Sequence, residues 1–275
     1  MSERERLDVL LVRRGLAESR ERAQAMIRAG DVSVAGQRED KPGTRVDASA
    51  AIALRERSPW VGRGALKLIG ALEAFGLPVE GAACLDVGAS TGGFTQALLA
   101  QGARHVYAVD VGRNQLAWRL RSDPRVTSLE RTDIRALAPL PEPIAIATVD
   151  VAFISLTTVL PALAAHLAAD GHVVALVKPQ FEAGRARLGK GGIVRTEALR
   201  LAVLREVAER ILALGWRVVD AVPSPIAGAE GNREVFVHLR LPGARAASLD
   251  ADAIMARASG TGSGSVAGAG PDSTV

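Results

Sequence analysis

The ten residues Leu85-Asp86-Val87-Gly88-Ala89-Ser90-Thr91-Gly92-Gly93-Phe94 read as a strand running into a glycine-rich turn and then a helix. Glycine permits positive φ and close approach of backbone to a ligand, and open α/β sheets bind ligands where their strands end. The next apolar run, Tyr107-Ala108-Val109, closes on Asp110, whose carboxylate can accept hydrogen bonds from a ribose diol. An adenosine-bearing ligand is expected. The spacing Gly88-x-x-x-Gly92-Gly93 departs from the G-x-G-x-x-G of a dinucleotide fingerprint, which argues against a nicotinamide-dependent enzyme.

A second set of residues could move a proton. Lys178 follows the run Val173-Val174-Ala175-Leu176-Val177, Asp150 ends the run 144–149, and Glu234 opens the last strand-like segment. Lys67 lies on a helix ahead of the first strand. A hydroxyl is a weak nucleophile at neutral pH, and a lysine in a suitable setting can help remove its proton or stabilise the alkoxide that forms. Each of these charges alone could equally be a solvated or salt-bridged side chain. Their positions in the chain say more, because three of them fall at the ends of strands.

The elements that must position these residues follow an alternating pattern from Gly64 onward, as in a parallel sheet. Helices are expected at 65–75, 94–100, 115–121, 156–167 and 197–214, and strands at 83–87, 105–109, 126–129, 144–149, 173–177, 216–222 and 235–241. The last two strands are joined by a Pro/Gly-rich loop too short for a helix and should pair antiparallel. The start of the final strand then lies at the edge where the parallel strands end, so Asp150, Lys178 and Glu234 converge there.

Ahead of this domain, residues 1–57 read as a small α/β module. Leu7, Leu10 and Leu11 have helical spacing, and a second helix runs from a Ser19 cap to a Gly30 stop. Short alternating stretches follow at 32–34 and 51–54. Arg6, Arg13, Arg14, Arg20, Arg22 and Arg28 give the module a candidate basic face for phosphate contact, although its twelve Lys/Arg stand against ten Asp/Glu. A solvated helix face is the plainer alternative. Residues 58–63 form a linker, 64–243 the large domain, and 244–275, rich in Ala, Gly and Ser, read as a disordered tail.

The stretch Asp86-Val87-Gly88-Ala89 before the turn resembles the S-adenosylmethionine motif. That resemblance implies cofactor contacts from Asp86, Gly88, Ser90, Thr91, Gly92, Gly93 and Phe94, with Asp110 at the ribose and Asp133 beside the adenine. The first module, through Arg6-Leu7-Asp8-Val9-Leu10-Leu11, Ser19-Arg20-Glu21-Arg22-Ala23 and Ile27-Arg28-Ala29-Gly30-Asp31-Val32, resembles the S-four-type RNA-binding domain. Lys67, Asp150, Lys178 and Glu234 are similar to the Lys-Asp-Lys-Glu tetrad of FtsJ-like ribose 2′-O-methyltransferases.

Read together, Arg63-Gly64-Ala65-Leu66-Lys67, the 86–94 loop, Asp150-Val151-Ala152-Phe153-Ile154-Ser155 and Lys178-Pro179-Gln180-Phe181-Glu182 resemble the TlyA/hemolysin A family over residues 6–242. The resemblance implies a class I α/β methyltransferase fold with a seven-stranded sheet whose last strand is antiparallel. It implies transfer of methyl from S-adenosylmethionine to a cytidine 2′-hydroxyl of ribosomal RNA, with ribosomal RNA or ribosomal subunits as partner. Lys178 would be the central catalytic lysine. The basic, glycine-rich segment 184–192, with Arg185, Arg187 and Lys190, is expected to be a mobile loop that closes on the RNA backbone.

Composition narrows the field. The chain of 275 residues carries a net charge of +4, one cysteine (Cys84, in an apolar run) and four scattered histidines. A disulfide framework is excluded, and a metal site has no support from ligand spacing. No signal peptide or long apolar run is evident, which fits a cytoplasmic protein and not a membrane-lytic one. The remaining rival is an RNA-binding scaffold without catalysis, which would tolerate loss of Lys178.

Overall fold

The computed structural model describes residues 4–55, 58–189, 191–228 and 231–260. The chain separates into two compact units, Met1–Pro59 and Trp60–Val275. In the first, β1 (Arg4–Arg6) leads into α1 (Leu7–Arg13), and α2 (Arg20–Arg28) is followed by β2 (Val32–Val34), β3 (Gln37–Glu39), β4 (Arg45–Asp47) and β5 (Ile52–Leu54). β1 pairs with β4, and β2 lies between β3 and β5, all antiparallel. Ser19 caps α2 by accepting the Arg22 N–H at 3.2 Å, and Gly30 turns the chain out of it at φ +72°. Leu7, Leu10, Leu11, Ala23, Ile27 and Val32 are buried between the helices and strands.

The second unit opens with α3 (Gly64–Phe75) and then alternates: β6 (Ala83–Val87), α4 (Gly93–Ala100), β7 (His105–Asp110), α5 (Trp118–Arg121), β8 (Val126–Glu130), β9 (Ile144–Val149), α6 (Leu156–Ala164), β10 (Leu167–Val177) and α7 (Pro179–Glu182). It closes with α8 (Glu197–Ala213), β11 (Arg217–Pro223), β12 (Val235–Arg240) and α9 (Ala251–Ala258). The sheet order is β11-β12-β10-β9-β6-β7-β8. β12 is inserted antiparallel between β10 and β11, and the other six strands run in one direction. This is the seven-stranded class I α/β architecture expected from the sequence. The central strands β6 and β9 are apolar apart from Asp86 and Thr148, because both faces of the sheet are covered. Leu85 and Val87 pack in the core that contains α6, α8 and α9, whereas Cys84 packs in the core with α3 and α4.

Three local expectations need correction. The helix expected over 115–121 is only Trp118–Arg121, because the Glu130 carboxylate takes the N–H groups of Asn114, Gln115 and Leu116 and holds that segment as a loop. The helix expected to reach 167 ends at Ala164, and β10 begins at Leu167. The tail expected to be disordered from 244 contains α9. Asp250 caps it by accepting the Ala253 N–H at 2.8 Å, and Ile254, Met255 and Ala258 are buried with residues of α8 and β11. Residues 261–275 lie outside the described residues. No described helix is long and apolar enough to cross a membrane.

Candidate active site

A cavity of about 430 Å³ opens where β6, β7, β9 and β10 end. Gly88 forms its floor at φ +85°, and a Cβ there would lie 2.5 Å from the Asp150 carbonyl oxygen, so a side chain is excluded on two counts. Ser90 and Asp110 stand on one wall: the Ser90 N–H donates to Asp110 Oδ2 at 2.8 Å and the Gly112 N–H to Oδ1 at 2.6 Å. Each carboxylate oxygen retains a lone pair for a diol. Asp133 and Ile134 line a further wall. Asp133 caps the short turn Ile134–Ala136 and bonds the Arg135 guanidinium, which holds its carboxyl down at about 2.

The remaining loop residues expected to touch a cofactor do not line this cavity. Asp86 is fully buried beneath it, accepting hydrogen bonds from Thr95 at 2.7 Å and Thr148 at 3.1 Å. Burial pushes its carboxyl up to about 7, against the pull of both hydroxyls. A Cβ on Gly92, at φ +97°, would strike Leu120 at 2.3 Å, and one on Gly93 would meet the Ala65 nitrogen at 3.1 Å. Phe94 is buried with its ring 6.0 Å from that of Phe236. Thr91 is exposed, and its carbonyl accepts the Ala117 N–H. These groups shape the loop from behind.

The four charged candidates form two pairs at one sheet edge. Lys178 Nζ lies 2.5 Å from Asp150 Oδ1, close as an ion pair but outside hydrogen-bond geometry, and both residues line the cavity. Lys67 Nζ donates to Glu234 Oε2 at 2.6 Å, with side chains only 11% and 2% exposed. Strand register brings the pairs together: Val149 is opposite Ala175, and Val177 opposite Val235, so Asp150, Lys178 and Glu234 extend from neighbouring strand ends. Lys67 reaches them from α3.

Three residues around Lys178 were not singled out from sequence. Phe153, beyond Asp150, is 91% exposed at φ +64°, a strained conformation for an aromatic residue, with its ring 4.8 Å from that of Phe181. Glu182 accepts the Leu156 N–H at 2.7 Å and the Ser155 hydroxyl at 2.8 Å, tying α7 to the loop that carries Asp150 and Phe153. Gln180 donates to Glu234 Oε1 at 3.3 Å. No sequence signal marks Phe153's backbone, whereas a polar residue next to Lys178 could have drawn notice to Gln180.

The arginines expected to face RNA are distributed differently. Arg6 and Arg20 both bond the fully buried Asp8 carboxylate at 3.0 Å, and Gln24 adds a third donor. Arg13 pairs with Glu5, Arg14 donates to the carbonyls of Ala48 and Ala50, and Arg28 bonds Gln24. Arg22 is exposed. Arg187 is fixed to Glu206 of α8 by two hydrogen bonds of 2.7 Å and to the Ala183 carbonyl, so it does not lie on a free loop. Arg185 joins the short turn Arg185–Arg187, and Lys190 lies outside the described residues. Among the described residues no group of three or more His, Cys, Asp or Glu could hold a metal ion.

Residues 60–241 match the FtsJ-like methyltransferase family, and residues 5–52 match the S4 domain. The chain is 49% identical over 253 residues to the 16S/23S rRNA (cytidine-2′-O)-methyltransferase TlyA of Mycobacterium tuberculosis, covering 90% of this chain and 94% of that protein. The chain belongs to the TlyA/hemolysin A family. It is 41% identical to Hemolysin A of Brachyspira hyodysenteriae, over 85% of this chain and 98% of that one. A solved hemolysin-family structure from Streptococcus thermophilus superposes with a TM-score of 0.69 at 43% identity, covering 95% of this chain and 98% of that chain.

Membership makes the chain an S-adenosylmethionine-dependent methyltransferase, and the cavity fits that cofactor. Gly88 lines the cavity with backbone alone, Asp110 presents a carboxylate suited to a ribose diol, and Ile134, Val151 and Ala152 provide apolar wall.

Proposed function

We propose that the protein methylates the 2′-hydroxyl of a cytidine in ribosomal RNA, either free or within a ribosomal subunit, in the cytoplasm. The observation that carries this reading is the Lys178–Asp150 pair on the lip of the cofactor cavity, with the Lys67–Glu234 pair one strand away. The bound cofactor would supply an electrophilic methyl group on sulfur. Gly88, Ser90 and Asp110 would orient it, with Asp133 at the adenine end.

The rest is done by side chains of the sheet edge. A hydroxyl entering beside Lys178 would meet a cation that stabilises the oxygen, while the neighbouring Asp150 carboxylate, whose Oδ1 has no hydrogen-bond partner among the described residues, would accept its proton as the methyl group is transferred to the oxygen. Lys67 and Glu234 fix the other side of the nucleotide, and alignment of oxygen with methyl provides much of the acceleration. Phe153 offers an exposed ring on the same lip for stacking of an unpaired base, which RNA recognition commonly uses. In this reading residues 1–57 grip structured RNA while residues 64–243 perform the chemistry, and Arg22 is the best placed of the α2 arginines for a phosphate.

The test is transfer of labelled methyl from S-adenosylmethionine to small and large subunits, and to free ribosomal RNA, purified from a strain lacking the gene. Label on RNA that disappears with Lys178→Ala supports the reading. Equal label with Lys178→Ala removes Lys178 from catalysis, and none with either subunit or with free ribosomal RNA favours a scaffold.

A further inference from the structure

Methyl transfer by Lys178 and its neighbours leaves the buried amide of Gln180 without a task. Gln180 is 8% exposed and sits on α7, two residues after Lys178. Its Nε2 donates to Glu234 Oε1 at 3.3 Å, while Lys67 holds the other oxygen of the same carboxylate at 2.6 Å. Its own Oε1 has no hydrogen-bond partner among the described residues. Burying an acceptor unpaired is unfavourable, and an apolar side chain of the same size would avoid it, so packing alone does not account for an amide here. Gly228 completes the clamp, since a Cβ there would lie 2.2 Å from Glu234 Oε1.

We propose that Gln180 is a positioning residue for methyl transfer: its amide N–H fixes the Glu234 carboxylate as the charged, oriented partner of Lys67. Glu234 then accepts from one donor on each oxygen, and Lys67 is held at the edge of the site by a carboxylate that cannot rotate. The role rests on the ribose-methylation reading, and it concerns rate and not cofactor binding, because neither Gln180 nor Glu234 lines the cofactor cavity. The charged groups on the surrounding elements are Lys67 on α3, Lys178 and Asp150 at the ends of β10 and β9, and Arg200, Glu197 and Arg233, which line a neighbouring cavity with Glu234. On α7 itself, Glu182 is engaged with Ser155 and Leu156.

Two variants separate positioning from packing. Gln180→Met keeps the volume and removes the donor. Gln180→Glu keeps the shape but sets a second carboxylate against Glu234, and two adjacent carboxylates share a proton to higher pH than either would hold alone. Protonated, the new side chain can donate as the amide does; ionised, it cannot. Methyl transfer to subunits from the gene-deleted strain is measured from pH 6 to 9, with thermal melting and S-adenosylmethionine binding as folding controls.

With Gln180→Met, kcat should fall about 10- to 100-fold at every pH, the range for loss of a hydrogen bond to a charged group, with KM for S-adenosylmethionine within about twofold. With Gln180→Glu the loss at pH 9 should be as large, and the ratio of variant to wild-type activity should climb as pH falls toward 6. If Gln180→Met retains activity within about twofold of wild type, or the Gln180→Glu ratio is flat across the range in a folded protein, the proposal is wrong. Should Gln180→Glu fail to fold, the Gln180→Met result decides alone. Failure of the underlying reading looks different: wild type itself would transfer no methyl, or Lys178→Ala would transfer as much.

Discussion

Replacing Lys67 by methionine isolates a buried carboxylate. In the wild type, Glu234 is 2% exposed at its side chain and is held by Lys67 at 2.6 Å and by the Gln180 amide at 3.3 Å. Methionine fills the space of the lysine stem but leaves the charge with one long, neutral hydrogen bond. Removing one partner of a buried ion pair costs about 3–5 kcal/mol. For a domain of this size each kcal/mol lowers Tm by about 2–4 °C, so Lys67→Met should melt roughly 6–20 °C below wild type at pH 8. Scanning calorimetry or near-ultraviolet circular dichroism reads this directly. Adding Glu234→Gln removes the stranded charge, and the double variant should regain most of the loss while staying inactive. A Tm for Lys67→Met within about 2 °C of wild type would mean that Glu234 is reached by water, and the clamp of Lys67 and Gln180 on Glu234 would be refuted.

Two further outcomes follow from burial elsewhere. Asp86 has its carboxyl raised to about 7, so the folded chain holds a proton that the unfolded chain releases near pH 4; the resulting stability is complete below pH 4 and lost as pH rises to 7. Asp86→Asn keeps partners for Thr95 and Thr148 without the charge, and its melting temperature should gain on wild type between pH 5 and 8; a constant difference would show that Asp86 does not titrate in that window. Cys84 is fully buried and its thiol is pushed up to about 12, so iodoacetamide should leave it unmodified in the native protein and label it only on unfolding. Rapid native labelling would contradict the packing of β6.

Much of the site was legible because strand ends are marked in sequence. An apolar run that closes on Asp110, Asp150 or Lys178 announces both the element and the edge, and the antiparallel final strand follows from the short loop before it. What escaped was whatever depends on residues far apart in the chain. Asp86 looks like a loop residue until Thr95, nine residues on, and Thr148, on β9, close over it; the lone threonine in the run Ile144-Ala145-Ile146-Ala147-Thr148-Val149 was the only hint. Arg6 and Arg20 read as a basic face because their shared partner, Asp8, is hidden in the core. The helix α9 was concealed by Ala/Ser composition, although Ile254, Met255 and Ala258 have the spacing of a buried stripe. Phe153 carried no signal, since its exposure and left-handed backbone are set by the loop that Glu182 anchors.

Ribose methylation at the Lys178 edge leaves its signature in the identity of the modified nucleoside. Ribosomal RNA from the gene-deleted strain, complemented with wild type or Lys178→Met, is digested to nucleosides and analysed by mass spectrometry. 2′-O-methylcytidine should return with wild type and be absent with Lys178→Met. A base-methylated nucleoside in its place, or 2′-O-methylcytidine restored equally by Lys178→Met, would contradict ribose methylation at that edge.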